Sequence, residues 1–180
     1  MLRKAMLLLS TMAFFTVPAA AQVHGDVFVG YSFLFVDDPI KDWHLHGWSA
    51  EAAFPVTDHL DLVVNGGGHY GSNNYVGFDA ELDMHELLFG VRYGGRRSAK
   101  ARGFVHALGG IMRGGAGASV LGVNIGLSDT AFGLAVGGGV ELSLTEGLAL
   151  RIAQVDYLSG WFEGDRTDNV RLSSGLTFRF

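Results

Sequence analysis

The stretch VRLSSGLTFRF, residues 170–180, decides the fold of this chain. Its even-numbered positions are apolar except for Ser174. Its odd-numbered positions are small or polar and include Arg171 and Arg179. Because alternate residues of a strand point to opposite faces, this pattern predicts an amphipathic β-strand. One face is apolar enough for lipid, and the other suits a polar interior.

The same alternation recurs upstream and predicts seven further strands. They cover residues 26–35, 47–54, 60–70, 84–93, 103–112, 132–143 and 148–158. The segment 103–112 is too rich in glycine and alanine for its two faces to be assigned. In 148–158 the apolar parity switches after Ile152, so we predict a β-bulge near Ala153–Gln154, which would re-aim the side chains.

The connections alternate in character, which predicts how the eight strands are joined. Long polar connections at 36–46, 71–83, 113–130 and 159–169 alternate with the short turns 55–59 and 145–147 and with the basic segment 94–102. An even number of strands joined in this way is typical of an all-β, eight-stranded antiparallel up-and-down transmembrane β-barrel. In lipid every backbone N–H and C=O needs a protein partner, and closing the sheet supplies one without leaving an edge. A soluble barrel would need an apolar interior and a polar exterior, the reverse of these two parities.

The N-terminus predicts a cleaved secretory signal. Arg3 and Lys4 precede the apolar run 5–17, and small residues at 19–21 predict cleavage between Ala21 and Gln22. The mature chain, 22–180, is then one barrel domain. Removing the signal lowers Lys+Arg from 13 to 11 against 18 Asp+Glu, so the formal charge changes from −5 to −7. This charge argues against nucleic acid as a partner, and the absence of cysteine excludes disulfides.

Charged residues of both signs fall on the inward parity. An isolated charge in a low-dielectric interior is costly, so these residues are expected to pair inside the barrel, with Glu141 and Arg151 as neighbours. We interpret the network as a packed polar plug, with a pore lining or a catalytic cluster as the alternatives. The predicted network comprises Glu51, Glu86, Arg92, Glu141, Arg151, Arg171 and Arg179.

Aromatic residues lie near the predicted strand ends, as in the interfacial girdles of membrane barrels. They are Trp43, Trp48, Phe54, Tyr70, Tyr93, Tyr157, Trp161, Phe162, Phe178 and Phe180.

Metal and phosphate sites are not indicated by the sequence. His44 and His46 form an H-x-H pair, but they lack a fixed third ligand. The glycine clusters at 66–68 and 137–139 lie in strands and do not open helices. We therefore predict no metal, no cofactor and no catalytic residues.

The chain resembles the small bacterial outer-membrane β-barrel proteins of the OmpA-barrel and OmpX type, sometimes called the porin family. The segments that carry the resemblance are DVFVGYSFLF (26–35), HGWSAEAAF (46–54), LLFGVRY (87–93), GFVHALGG (103–110), LRIAQVDYL (150–158) and VRLSSGLTFRF (170–180).

That resemblance implies a location in the outer membrane, contact with lipid and lipopolysaccharide, and a monomeric state. It also implies assembly by the barrel-insertion machinery, with Phe178 and Phe180 as the signal. The implied function is a non-enzymatic structural or surface-interaction role through the long extracellular loops, and the alternative is a narrow passive pore for small solutes.

A lipid-modifying enzyme is the less favoured alternative. Lipid A deacylases use a His and a Ser two residues apart, whereas here His106 is followed by Leu108. Lipid A palmitoyltransferases carry an amphipathic N-terminal helix, and the sequence after Gln22 does not predict one.

Overall fold

Eight strands form one closed antiparallel barrel in which each strand pairs with its neighbours in sequence. The computed structural model describes residues 24–36, 43–75, 78–95, 99–120, 123–162 and 165–180, so the predicted signal and its cleavage site lie outside the described residues. The strands are β1 (Asp26–Val36), β2 (Trp43–Pro55), β3 (Leu60–Tyr75), β4 (Phe78–Gly94), β5 (Ala101–Val120), β6 (Val123–Ser143), β7 (Leu148–Phe162) and β8 (Asp165–Arg179). This confirms the predicted fold class.

The strand that contains the stretch 170–180 closes the barrel. β8 pairs with β1 so that Phe178 lies opposite Val27, and the ladder continues to Asn169 opposite Val36. Beyond it, Gly25 and Phe180 exchange two backbone hydrogen bonds of 3.0 and 3.1 Å. The start of β1 and the end of β8 therefore meet at one end of the barrel, here called the terminal end. The opposite end is called the distal end.

The two faces of the wall have the predicted polarity. On β8 the side chain of Phe178 is 47% exposed, whereas Thr177 beside it is fully buried. Across the barrel the outward positions are large apolar residues, and the inward positions hold the buried charges. An exterior of this kind suits the hydrocarbon of a bilayer and would be a very large apolar patch in water. The described residues contain no helix long and apolar enough to cross a membrane.

The face assignment of β5, which the sequence left open, is defined by the structure. Phe104, His106 and Met112 are buried in the lumen, whereas Val105 and Ile111 are exposed on the wall. Gly109, on the outward face beside Leu134 and Phe132 of β6, is one of the small residues that hid this alternation.

The predicted bulge in β7 is present, one residue earlier than expected. On β6, Val140 pairs with Ala153 and Glu141 pairs with Arg151, so Ile152 has no partner there. On β8 the register also shifts between Arg151 and Gln154. Because of the extra residue, Arg151 and Gln154 both point into the lumen, and both are fully buried.

The long polar connections differ most from the prediction, because most of their described residues are strand. Residues 71–75 extend β3, 78–83 extend β4, and 113–120 and 123–131 extend β5 and β6. Antiparallel pairing between hairpin partners continues past the level at which the apolar exterior ends. Polar composition marks where these strands leave the apolar layer and does not mark where they end.

Candidate functional site

The lumen at the terminal end holds a four-residue ion cluster contributed by four strands. Arg92 donates to Asp61 at 2.9 Å and to Asp26 at 2.6 Å. Arg102 donates to the same two carboxylates, at 2.9 and 3.3 Å. Each carboxylate thus bridges two guanidinium groups, and all four side chains are almost fully buried.

Arg151 is the centre of the next layer. Its Nε and Nη2 atoms donate to Glu141 at 3.0 and 2.8 Å, and Nη2 also donates to Glu51 at 3.0 Å. The guanidinium carbon lies 4.0 Å from the centre of the Phe28 ring and 4.7 Å from that of Phe104. Arg151 is therefore enclosed by carboxylates along its edge and by aromatic rings across its faces.

A third layer is centred on Arg171. This guanidinium donates to Asp156 at 2.6 and 2.9 Å and to Glu86 at 2.7 Å. Two histidines complete the layer. His106 Nε2 lies 2.8 Å from Asp156 Oδ1, and His69 Nδ1 lies 3.4 Å from Glu86 Oε2. Glu51 joins all three layers, since it accepts from Arg92 of the first and Arg151 of the second, at 3.0 Å each, and lies 3.8 Å from His106 of the third.

The charges of the described lumen nearly balance, which allows them to be buried. Buried ions are tolerated when each is paired with an ion of opposite charge at short distance. Six carboxylates face five guanidinium groups, in contacts of 2.6 to 3.4 Å. They are Asp26, Glu51, Asp61, Glu86, Glu141 and Asp156, with Arg92, Arg102, Arg151, Arg171 and Arg179.

An apolar layer covers the charged layers on the distal side. Leu34, Leu45, Met84, Met112 and Leu158 are buried and belong to one hydrophobic cluster. On its own strand, each of them lies distal to the lumen charges. Aliphatic side chains thus fill the lumen beside the third charged layer, where Leu34 lies opposite Arg171, and on its distal side. An eight-stranded barrel has an interior that side chains can fill.

All seven predicted network residues lie in the lumen, and Arg179 is at its terminal mouth. Arg179 Nη2 lies 3.4 Å from Glu141 Oε2, and Arg179 Nη1 donates to Ser143 at 2.8 Å. The structure brings Glu141 and Arg151 into direct contact. Glu86 and Arg171 lie in the third layer, next to the layer that holds the Glu141–Arg151 pair.

Sequence reasoning missed six charged or titratable members of the network. Asp61 and His69 had inward parity and were not included. Asp156 follows from the parity switch in β7, and Arg102 fell in a predicted connection. His106 lies on the strand whose faces could not be assigned. The sixth, Asp26, begins β1.

The extended strands form a four-stranded sheet that projects beyond the rest of the wall at the distal end. Pairing of β2 with β3 stops at His46 opposite Tyr70, and pairing of β6 with β7 stops at Phe132 opposite Trp161. The β3–β4, β4–β5 and β5–β6 ladders continue beyond these points. Residues 123–131 of β6 pair only with β5 in the described ladders. They leave a free edge of roughly 30 Å at about 3.3 Å per residue.

A polar cluster lies on the outer wall where β7 and β8 reach the distal end. Arg166 donates to Asp168 at 2.8 Å and to the Tyr157 hydroxyl at 2.9 Å, and the Ser159 hydroxyl donates to Asp168 at 2.8 Å. The Ser159 hydrogen bond, together with the contacts to Arg166 and Tyr157, lowers the pKa of the Asp168 carboxyl. The guanidinium of Arg166 also lies 6.0 Å from the Trp161 ring.

Among the predicted girdle residues whose side chains the structure describes, all but one are on the outer wall. Phe162 packs against the lumen cluster instead, because the bulge in β7 reverses the parity of everything after it. The side chain of Trp43 lies outside the described residues. The exposed members are Trp48, Phe54, Tyr70, Tyr93, Tyr157, Trp161, Phe178 and Phe180.

His44 and His46 point outward and contact the aromatic rings of β1. His44 lies beside Phe33 and Phe35, and His46 contacts the Tyr31 hydroxyl. Within the described ranges, no group of three or more His, Cys, Asp or Glu side chains is arranged to hold a metal ion.

Comparison by structure finds outer-membrane barrels, whereas comparison by sequence finds nothing. No protein-family model and no curated protein sequence matches the chain. Ail, the attachment invasion locus protein of Yersinia pestis, is similar with a TM-score of 0.65 at 16% identity, over 88% of this chain and 100% of that one. Neisserial surface protein A has a TM-score of 0.63 at 15% identity, over 87% and 97%.

A major outer membrane protein of Thermus thermophilus is also similar, with a TM-score of 0.53 at 12% identity, over 87% of this chain and 99% of that one. At these identities the likeness concerns the fold, which is the small closed membrane barrel.

Proposed function

We propose that this protein is a non-enzymatic, monomeric barrel of the outer membrane, exported through the periplasm after cleavage between Ala21 and Gln22. The band of exposed apolar side chains around the wall supports insertion in a bilayer, where lipid acyl chains would cover it. Closure of the β1–β8 pair supports the monomer, because every strand has two partners within that band.

The projecting sheet is the observation that supports a surface-interaction role best. Its β6 edge presents unpaired backbone N–H and C=O groups that an extended segment of a partner can complete by β-augmentation. The strands beside it are short of large side chains, with the run GGAGAS at 114–119, so little bulk obstructs the approach. The strands of this sheet take the place of the long extracellular loops as the contact surface.

The lumen serves in this proposal as a rigid internal support and not as a pore. What supports this is that buried ion pairs in three layers, together with aliphatic side chains on the distal side, occupy the described interior. A narrow passive pore, the alternative, would need hydrated and unpaired charges along that path.

Lipid, lipopolysaccharide and the barrel-insertion machinery are the proposed contacts during and after assembly. Phe178 lies on the lipid face, and Phe180 is held at the seam by its two hydrogen bonds to Gly25. An aromatic residue in this position is proposed as the signal that the insertion machinery reads.

Charge indicates the kind of partner that the distal end accepts. Its strand ends and connections carry ten carboxylates and three cationic side chains, a formal charge of −7 (3 − 10). We therefore expect cationic partners. Ail, in contrast, has been crystallised with the heparin analogue sucrose octasulfate, a polyanion. The distal groups are Asp37, Asp38, Lys41, Asp42, Asp79, Glu81, Asp83, Arg113, Asp129, Glu163, Asp165, Arg166 and Asp168.

Single-cysteine labelling tests location and orientation together, because the natural chain has no cysteine. Leu127 on the projecting sheet is 78% exposed. In intact cells a membrane-impermeant maleimide should label Leu127→Cys. The matched variant Glu146→Cys, in the turn after β6 at the terminal end, should react only after the outer membrane is permeabilised. Labelling of Glu146→Cys and not Leu127→Cys in intact cells would refute the proposed orientation.

A further inference from the structure

Three polar side-chain atoms from three strands converge on the outer wall above Gly68. They are Nε1 of Trp48 on β2, Oη of Tyr70 on β3 and Nδ1 of His85 on β4. These atoms lie 2.9, 3.1 and 3.1 Å from the point that a Cβ on Gly68 would occupy. Because Gly68 has no side chain, the three atoms gather closely over its Cα, and the space just outside them on the wall borders all three.

Two of these groups are hydrogen-bond donors without a protein partner. Neither the Trp48 indole N–H nor the Tyr70 hydroxyl forms a hydrogen bond within the described part of the chain. The His85 ring faces Asp83 through Nε2 at 3.7 Å, which leaves Nδ1 directed at the same space. Donors of this kind suit the oxygen atoms of a phosphate group.

The space lies at the border between the apolar and polar parts of the wall. Below it, outward positions on β3 and β4 are Gly66, Leu87 and Phe89. Above it they are Ser72, Asp83 and Glu81. A ligand held at this height would have its polar group at the Trp48–Tyr70–His85 space and its apolar part in the hydrocarbon.

A recess directly above these three atoms adds carboxylates, whose negative charge suits an ammonium group. Its lining includes Tyr70, Glu81, Asp83 and His85. The carboxylates of Glu81 and Asp83 can accept from an ammonium group next to the phosphate.

The wall below the space is shallow. Ala50 on β2 faces Gly66 on β3, between Val29 on β1 and Leu87 on β4. Two small residues on neighbouring strands, with a larger residue on either side, form a shallow furrow along which an acyl chain can lie.

From these observations we propose that the wall binds one phospholipid or glycolipid whose headgroup carries both a phosphate and a primary amine. The phosphate is held by Trp48, Tyr70 and His85, the amine lies against Asp83 and Glu81, and an acyl chain lies over Ala50 and Gly66. This inference rests on the proposed function, because it requires the wall to lie in a bilayer.

The test is lipid retention by the full-length folded barrel. The protein is reconstituted in nanodiscs containing equal amounts of phosphatidylethanolamine, phosphatidylglycerol and phosphatidylcholine, released into mild detergent, and analysed by native mass spectrometry. We expect one phosphatidylethanolamine to be retained preferentially. Trp48→Phe and Tyr70→Phe each remove one hydrogen bond and should lower its retention about fivefold. Tyr93→Phe, in the girdle at the terminal end, is the matched control and should retain lipid as the wild type does.

Two further variants test the geometry and the amine. Gly68→Ala puts a methyl group 2.9 Å from Trp48 Nε1 and 3.1 Å from the other two atoms, so it should displace them and reduce retention, whereas Gly103→Ala, where a Cβ would meet nothing within 4 Å, should not. Asp83→Asn should reduce the preference for phosphatidylethanolamine over phosphatidylglycerol. Equal retention of the three lipids, or the same retention by Trp48→Phe as by Tyr93→Phe, would overturn the assignment. If soluble phosphoethanolamine bound as strongly as phosphatidylethanolamine, the ligand would be the free headgroup compound, and the assignment to a lipid would be overturned.

Failure of the proposed function would look different. In that case the same preparation would not shift its migration on a gel when boiled, and Leu127→Cys would not be labelled in cells. A folded, surface-exposed barrel without lipid preference would refute only the lipid site.

Discussion

Replacing Arg151 with methionine keeps an unbranched apolar stem and removes the guanidinium charge from the centre of the lumen. The substitution deletes the hydrogen bonds to Glu141 at 2.8 and 3.0 Å and the one to Glu51 at 3.0 Å. Glu51 keeps Arg92, and Glu141 keeps Thr177 at 3.1 Å and Arg179 at 3.4 Å. Two buried carboxylates therefore lose the cation that they share.

Removing one partner of a buried ion pair costs about 3–5 kcal/mol, because the other charge is left in a low-dielectric surrounding. The remaining contacts to Arg92 and Arg179 place our expectation at the lower end, about 3 kcal/mol. In a water-filled lumen the same change would cost no more than about 1 kcal/mol, as for solvent-exposed pairs. The free energy of unfolding thus distinguishes a packed lumen from a hydrated one.

The assay is urea unfolding of the barrel refolded in phospholipid vesicles, followed by tryptophan fluorescence and by gel migration without boiling. The double variant Arg151→Met/Glu141→Gln should lose less than the sum of its single variants, with a coupling of roughly 1–3 kcal/mol. Arg166→Met, in an exposed cluster, is the matched control and should unfold as the wild type does. A loss below about 1 kcal/mol for Arg151→Met, or strict additivity, would refute a packed lumen.

Three other outcomes are expected. Deleting Phe180 should reduce the amount of folded barrel in the outer membrane, measured by unboiled gel migration of the membrane fraction, while Phe180→Tyr should not; equal amounts in both would refute the signal. The pKa of the Asp168 carboxyl, measured by NMR titration, should lie below its ordinary value of 3.8. It should rise in Ser159→Ala, because that change removes a hydrogen bond to the carboxylate. Because its folded-state pKa is lowered, its contribution to stability is present above the unfolded pKa and is lost as pH falls through the folded value; an unmoved titration in Ser159→Ala would contradict this. Cells that display the protein should retain a lysine-rich peptide, less at high salt, and should not retain heparin; the reverse preference would contradict the charge argument.

The alternation of side chains predicted most of the barrel because the wall separates two environments. In β8 and β4 one face meets lipid and the other meets ions. The polarity of a residue on these strands therefore predicts the face on which it lies. The two faces of β5 cannot be assigned from the sequence, because the outward position 109 and the inward position 110 are both glycine. Glycine carries no information on polarity, and here its place is determined by neighbours on adjacent strands.

Two features depended on contacts that alternation does not encode. The strands continue into water at the distal end, where polar residues suit an exposed strand as well as a loop, so the sequence predicts loops where the structure has the projecting sheet. The ion pairs also join residues far apart in sequence, such as Arg92 with Asp26 and Arg171 with Glu86. Parity places each of these residues in the lumen, but only the closed barrel determines which of them meet.

Single-channel recording in planar bilayers tests the closed lumen most directly. Wild-type protein, shown by unboiled gel migration to be folded and inserted, should give no discrete openings, because ion pairs and the aliphatic layer of Leu34, Leu45, Met84, Met112 and Leu158 fill the described interior. Regular ohmic openings of the wild type, with a conductance that changes on Arg151→Met or Glu141→Gln, would contradict the account and establish a pore.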